Sequence, residues 1–259
     1  MSDDHRFDQT AVKQYAVIYK APNIAARRKA TMDVLNLKAG EHVLDIGFGP
    51  GYFSSELADI VGPQGKVEGI DFSQSMLDIA SAICDEKPQI NLQVGDAKQL
   101  PYADENFDAA IAVQVYDYVD DIPLALSELH RVLKPKGRAV IADTDWGTQV
   151  WHATDTVRMA KFQEVLKEHF AQPHLPRHLL PMLKDAGFTV KNVDGIIMMT
   201  TKIEPYVMGI TKLAGQFIAG RHGITVEDVQ KWEADLSRLN ETGEYFYSAN
   251  QYLFLIEKG

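Results

Sequence analysis

Short apolar runs and amphipathic stretches alternate along the first half of the chain, and this rhythm organises the rest of the sequence. Residues 41–46 read as a strand that delivers Val43-Leu44-Asp45-Ile46 into Gly47-Phe48-Gly49-Pro50-Gly51, an acidic residue followed by glycines at alternate positions. Glycine has no Cβ and tolerates positive φ, so a turn of this kind brings bare backbone against a ligand. Residues 52–61 predict a helix, 66–70 a second strand ending in Asp71, and 76–82 a helix capped by Ser73, with Met76, Ile79 and Ala80 on one packed face. A third strand follows at 90–94, then Gly95-Asp96-Ala97. After a polar turn at 101–106, residues 107–113 form an apolar run of the kind buried on both sides of a parallel sheet. Residues 124–133 predict an amphipathic helix, Lys134-Pro135-Lys136-Gly137 its stop, and 138–142 a fifth strand.

Repeated strand and helix alternation means an α/β fold with a doubly wound parallel sheet and right-handed crossovers. Ligands of such sheets lie beyond the carboxyl ends of the strands, near the switch in strand order. The residues expected to converge are therefore 45–51, Asp71 with Phe72, Asp96 with Ala97, 114–116 and 143–146. Upstream, residues 24–37 predict a basic helix, and Tyr15 and Tyr19, four apart, share a helix face that either packs on the body or touches ligand. Downstream of strand five the rhythm breaks. Residues 146–175 form an insertion rich in Trp, His and Asp. A helix resumes at 177–186, a strand at 188–199, two helices fill 204–239 around a Gly220-Arg221-His222-Gly223 turn, and 245–257 alternates as a last strand.

The 259 residues suffice for one large α/β domain. Boundaries are expected at 1–39 for an N-terminal helical lid, 40–145 for the core, 146–175 and 200–241 for cap insertions, and 242–259 for the last strand. A single cysteine, Cys84, excludes an internal disulfide and a multi-cysteine zinc site, so no metal is expected, and it fits a reducing cytoplasm. The charged start of the chain lacks the apolar run of a signal peptide, and no segment has the length to span a bilayer. A formal net charge of −10 disfavours a nucleic-acid partner, although Arg27, Arg28 and Lys29 could form a local anion site. Small-molecule chemistry is the leading class, in a monomer or homodimer.

Three nucleotide-type ligands compete for the glycine turn. A phosphate-binding loop needs Gly-Lys-Ser/Thr, which is absent. The dinucleotide pattern G-x-G-x-x-G/A meets Tyr52 when counted from Gly47 and Ser54 when counted from Gly49. Asp71 lies 20 residues after Gly51 at the end of a strand, where a carboxylate accepts from both ribose hydroxyls. Val43 to Gly51, Val67-Glu68-Gly69-Ile70-Asp71, Val94-Gly95-Asp96-Ala97, Phe107-Asp108 and Leu129-His130-Arg131-Val132-Leu133-Lys134-Pro135-Lys136-Gly137 together resemble the ordered motifs of class I S-adenosylmethionine-dependent methyltransferases. Within that family they are similar to the small-molecule, quinone-biosynthesis-like branch.

The resemblance implies a Rossmann-like, mostly parallel sheet with a final antiparallel strand and S-adenosylmethionine as cofactor, S-adenosylhomocysteine being its product. It implies that the backbone of Gly47, Gly49 and Gly51 approaches the methionine part and that Asp45 orients the amino group. Asp71 would hold the ribose, Phe72 and Met76 the adenine pocket, Asp96 the exocyclic amine and Ala97 a ring nitrogen, while Gln114 and Tyr19 flank the methionine end. Taken alone, Asp45 could cap its turn and Asp96 could make an Asx turn.

Methyl transfer needs alignment and exclusion of water, and a base only where the acceptor is protonated. His152 is the expected base because an imidazole titrates nearest neutrality. Tyr15, Tyr116, Trp146 and Trp151 are the expected acceptor contacts, with Asp145 and Asp155 nearby. Gln114-Val115-Tyr116-Asp117 stands where enzymes that methylate exocyclic amines of nucleic acids carry Asn/Asp-Pro-Pro-Tyr/Phe, so the acceptor is expected to be a small aromatic or moderately apolar metabolite, methylated on oxygen or carbon. A catalytically silent S-adenosylmethionine-binding protein and a nicotinamide-dependent oxidoreductase are the other readings.

Overall fold

The computed structural model describes residues 18–259; Tyr15 lies outside them. A helix, α1 (Pro22–Leu35), precedes the sheet and buries Ile24, Arg28, Thr31, Met32 and Leu35, a three- to four-residue spacing that marks one face. The core then runs β1 (His42–Ile46), α2 (Tyr52–Val61), β2 (Lys66–Asp71), α3 (Gln74–Cys84), β3 (Ile90–Val94) and β4 (Phe107–Val113). There follow α4 (Ile122–Val132), β5 (Leu133–Trp151), α5 (Thr156–Lys167), α6 (Leu175–Asp185), β6 (Phe188–Thr200), α7 (Pro205–Ile218), α8 (Val226–Thr242) and β7 (Tyr247–Lys258).

The seven strands form one sheet in the order β3-β2-β1-β4-β5-β7-β6. β1 to β5 are parallel, and β7 runs antiparallel to both β5 and β6. The strand order reverses between β1 and β4, so the carboxyl ends of these two strands open the crevice in which α/β sheets bind ligands. Strand alternation divides the core. Leu44 and Ile46 face α4 and α6 with Phe107, Leu126, Leu129 and Leu179, while Val43 shares the opposite layer with Leu35, Leu57, Val61 and Val140. A third cluster, Trp151, Phe162, Val207, Trp232, Leu236 and Tyr247, joins α5, α7 and α8 to the far ends of β5 and β7.

The crossover from β3 to β4 contains no helix, in keeping with the polar turn expected at 101–106: residues 95–106 make turns and one isolated bridge, Asp96 to Gln99, which keeps Asp96 and Ala97 at the strand end. One expectation is corrected. The fifth strand does not stop at residue 142 but continues to Trp151, through an irregularity between Asp145 and Val150, because β7 pairs with it as far as Trp151 with Tyr247. A long antiparallel partner offers backbone bonds that a local pattern cannot announce. Local signals held at caps: Ser73 Oγ accepts from Met76 N at 3.3 Å, and Thr225 with Asp228 forms a capping box on α8.

Candidate functional site

The first glycine turn is built by three different constraints. All three glycines have positive φ, +70° at Gly47, +52° at Gly49 and +86° at Gly51. A Cβ on Gly47 would overlap Val115 of the next strand end, and one on Gly51 would stand 2.8 Å from Ala80 Cβ on α3. Only above Gly49 is there room, the nearest atom being Tyr19 Oη at 3.7 Å from a Cβ built there. Gly49 N donates to Asp71 Oδ2 at 2.9 Å, and Ser73 N to Asp71 Oδ1 at 2.9 Å. Burial raises the Asp71 carboxyl and these two donors oppose the rise. A carboxylate offers about four lone-pair sites, so Asp71 keeps acceptor capacity toward the crevice.

The crevice is a cavity of about 1320 Å³ at the strand ends, and it gathers most of the expected site. Tyr19, Gly47, Gly49, Asp71, Phe72, Met76, Asp96, Ala97, Gln114, Trp146 and Trp151 all line it. Asp96 also makes the Asx turn, accepting from Lys98 N at 2.8 Å while its side chain stays exposed to the cavity. Tyr19 is stacked with Tyr52, centroids 6.2 Å apart, and its hydroxyl is pushed up to about 12, by burial first and the Asp71 charge second. Gln114 sits at φ +57°, a strained position for a side-chain-bearing residue. Its amide is held from three directions: Thr144 Oγ1 and Gln251 Nε2 donate to Oε1 at 2.6 and 3.2 Å, and Nε2 donates to Asp117 Oδ2 at 3.3 Å.

Four expected residues are not brought to the cavity. Asp45 points with Val43 into the α2 layer, where Ser54 Oγ donates to its Oδ2 at 2.6 Å; burial lifts its carboxyl to about 7. Gly51 serves the packing of α2 against α3, and Cys84 beside it is a buried thiol pushed up to about 11 by that burial. Tyr116 is wholly buried in the α4 layer, its hydroxyl without a hydrogen-bond partner among the described residues. The 3₁₀ turn Tyr116–Tyr118 puts Tyr116 into that layer and Tyr118, two residues later, on the cavity. His152 is exposed and borders a separate shallow hollow of about 430 Å³ with Val150, Thr156 and Phe246. Asp145 and Asp155 are likewise engaged elsewhere: Asp145 binds His174 Nδ1 at 3.0 Å and Arg177 Nε at 2.5 Å, which hold it below the usual carboxylate range, and Asp155 caps α5.

The cavity wall contains side chains that the sequence did not single out. Trp146 is stacked on Phe170 with centroids 4.2 Å apart and planes at 12°, and its Nε1 donates to Asp117 Oδ2 at 2.9 Å. Tyr118 tilts against Phe170 at 5.2 Å, and His169 meets Tyr118 and Phe217 edge-on at 5.6 and 4.8 Å. Tyr206 and Phe217 from α7 close the far wall with Ile210 and Leu213. Beneath Trp146, Asp117 and Asp143 are wholly buried neighbours. Burial raises both carboxyls, and at Asp143 the Asp117 charge adds to it; Asp117 Oδ2 is the acceptor shared by Trp146 Nε1 and Gln114 Nε2. The one advance signal of this wall was the aromatic richness of residues 146–175.

Open backbone, the Asp71 and Asp96 carboxylates and an aromatic wall thus line one cavity. The model of the methyltransferase domain family matches residues 37–187, and the chain belongs to that family. It is 40% identical to a demethylmenaquinone methyltransferase of Lactobacillus johnsonii over 47% of this chain and 51% of that protein, so the chain's match spans about half the length of that relative. It is 28% identical to the O-methyltransferase resE of Aspergillus sclerotiorum over 84% of this chain and 78% of that one. The structure of phosphoethanolamine N-methyltransferase 2 of Haemonchus contortus in complex with S-adenosyl-L-methionine shares the fold, with a TM-score of 0.64, 20% identity and coverage of 99% of this chain and 58% of that chain.

Proposed function

We infer that this protein transfers a methyl group from S-adenosylmethionine to an oxygen or carbon of a small aromatic or moderately apolar metabolite, as a single cytoplasmic domain in a monomer or homodimer. The observation that carries the reading is one cavity lined by Gly49, Asp71 and Asp96 and by the Trp146–Phe170 stack, Tyr118 and Tyr206, with Gln114, tied to Trp146 through Asp117, between them. The fit to the cofactor rests on the cradle above Gly49, bounded by Tyr19, and on carboxylates aimed where a ribose and an exocyclic amine need acceptors. Asp71 would bind the ribose hydroxyls, Phe72 and Met76 would flank the adenine, Asp96 and the Ala97 backbone would meet its edge, and Gln114 and Tyr19 would border the methionine end. When bound, S-adenosylmethionine supplies a methyl group on a cationic sulfur, an already activated electrophile.

The chain's own contribution is then alignment and dryness. The stacked Trp146 and Phe170 orient a flat ring, and Asp117, accepting from the indole Nε1, keeps that indole from turning. His169 is the histidine that lines this cavity, and its imidazole is the group suited to take a proton from an acidic hydroxyl at neutral pH. Titration calorimetry with S-adenosylhomocysteine and with NAD tests the donor. Binding of the homocysteine compound alone is expected, and tight NAD binding without it would sink the reading. A library of phenols, hydroxyquinones and enols incubated with methyl-labelled donor tests the transfer; absence of product from every class would favour a silent binding protein. Among the described residues no helix is long and apolar enough to cross a membrane.

A further inference from the structure

Arg27 and Arg28 are adjacent on α1 and turn to different neighbours. Arg28 is answered: its Nη2 lies 2.7 Å from Glu56 Oε1, its Nη1 donates to Tyr19 O at 2.7 Å, and its guanidinium covers the Tyr52 ring at 5.0 Å. Arg27 faces β6 and α7 instead. Its Nη1 rests on Met198 Sδ, its guanidinium lies 5.9 Å over the Tyr206 ring, and its buried Nε has no hydrogen-bond partner among the described residues. Thioether sulfur is a weak acceptor, and a guanidinium carries five donors in a planar fork. No carboxylate among the described residues pairs with it, in a chain whose formal net charge is −10.

The other charges of the cavity are accounted for. Lys98 pairs with Asp120 at 2.7 Å, and Arg221, exposed at the rim, stacks on Phe217 at 4.2 Å and donates to its carbonyl. Arg27 is thus an unanswered cation inside an aromatic chamber, where low water content strengthens a charge-assisted pair. We propose that Arg27 is the anion anchor of the acceptor chamber, so that the acceptor is a flat apolar molecule bearing a carboxylate or comparable oxyanion. The term acceptor rests on the methyltransferase reading; the anion site does not. Arg27's direct contacts, Met198 on β6 and Tyr206 on α7, stand beside Tyr19, whose hydroxyl also feels the Arg27 charge, so the donor's own carboxylate is the competing occupant and the two adenosine compounds below separate it from the acceptor.

Anilinonaphthalene sulfonate and N-phenylnaphthylamine share one ring skeleton with and without an anion, and their fluorescence with the protein, measured both without and with S-adenosylhomocysteine, is the test. Arg27→Gln should weaken the sulfonate by about tenfold or more while the neutral dye changes by less than about twofold, and Arg27→Lys should restore part of the loss. Equal loss of both dyes, or of neither, overturns the proposal. On the wild-type protein, naphthoate should displace the neutral dye at about tenfold lower concentration than naphthamide; equal displacement overturns it without any variant. S-adenosylhomocysteine weakened by Arg27→Gln with methylthioadenosine unchanged would move the anion to the donor and also overturn it. Failure of both adenosine compounds to bind wild type would defeat the donor reading alone, because the dye comparison stands without them.

Discussion

The two ends of the cavity are made of different material. At the proposed donor end the groups lining the cavity are backbone and short carboxylates fixed within three residues of a strand terminus: Gly47 and Gly49 after β1, Asp71 closing β2, Asp96 after β3. At the acceptor end they are large side chains from distant segments, with Trp146 on the β5 extension, Phe170 beyond α5 and Tyr206 and Phe217 on α7. The donor end is rigid because sheet bonds hold it; the acceptor end is rigid only as far as its rings pack. Change at the first should therefore cost stability and cofactor together, and change at the second should alter acceptor recognition alone.

The largest effect is expected where backbone space is filled. Gly47→Ala adds a methyl that collides with Val115 at φ +70°, and roughly 4 kcal/mol of stability should go, with S-adenosylhomocysteine binding, in thermal melting and calorimetry. Next is the pH dependence of Asp45, whose carboxyl is lifted to about 7 from a model-peptide value of 3.8 by burial. The unfolded chain ionises near pH 4 while the folded chain keeps its proton to about 7. Asp45 therefore contributes stability below pH 4 that is lost as pH rises to about 7, then flat. Relative to Asp45→Asn, the wild type should lose on the order of 3 kcal/mol across that window, read from melting curves against pH. A parallel pair of curves would mean that Asp45 is ionised in the fold.

Asp71→Ala should weaken S-adenosylhomocysteine by about 2 kcal/mol and leave the acceptor KM alone; unchanged affinity would remove Asp71 from the ribose. Trp146→Ala reverses the pattern, raising acceptor KM by roughly tenfold through a lost stack of about 1 kcal/mol, with donor affinity within about twofold. Should donor affinity fall as far as acceptor recognition, the division of the cavity into two ends is mistaken. The smallest effect is His152→Ala, which removes an exposed ring outside the cavity and should leave kcat/KM within about twofold.

Much of the sheet was readable because its signals are local. The apolar run at 107–113 coincides with β4, since a parallel strand buried on both faces needs continuous hydrophobicity, whereas β3 at 90–94 is a half-exposed edge strand marked only by its place in the alternation. The turn glycines, Ser73 and Asp71 follow from backbone rules that act within a few residues. Where the reading went astray, the deciding neighbour was remote in sequence. β5 extended because β7, about a hundred residues later, supplied its bonds, and Tyr116 left the cavity for a buried layer that includes Leu179 of α6 and Phe254 of β7.

By itself the sequence determined the fold class and the strand ends that open on the cavity, because strand alternation and glycine conformation are properties of short segments. Tertiary structure decided that Asp45 and Gly51 serve the α2 and α3 packing behind the turn, that Arg27 and not Arg28 faces the cap, and that His169 and not His152 reaches the cavity. The Arg27 and His169 outcomes depend on how β6 and α7 settle against them, and side chains so distant in sequence leave no local pattern to read; Asp45 and Gly51 turn on Ser54 and Ala80, whose helices pack behind the turn.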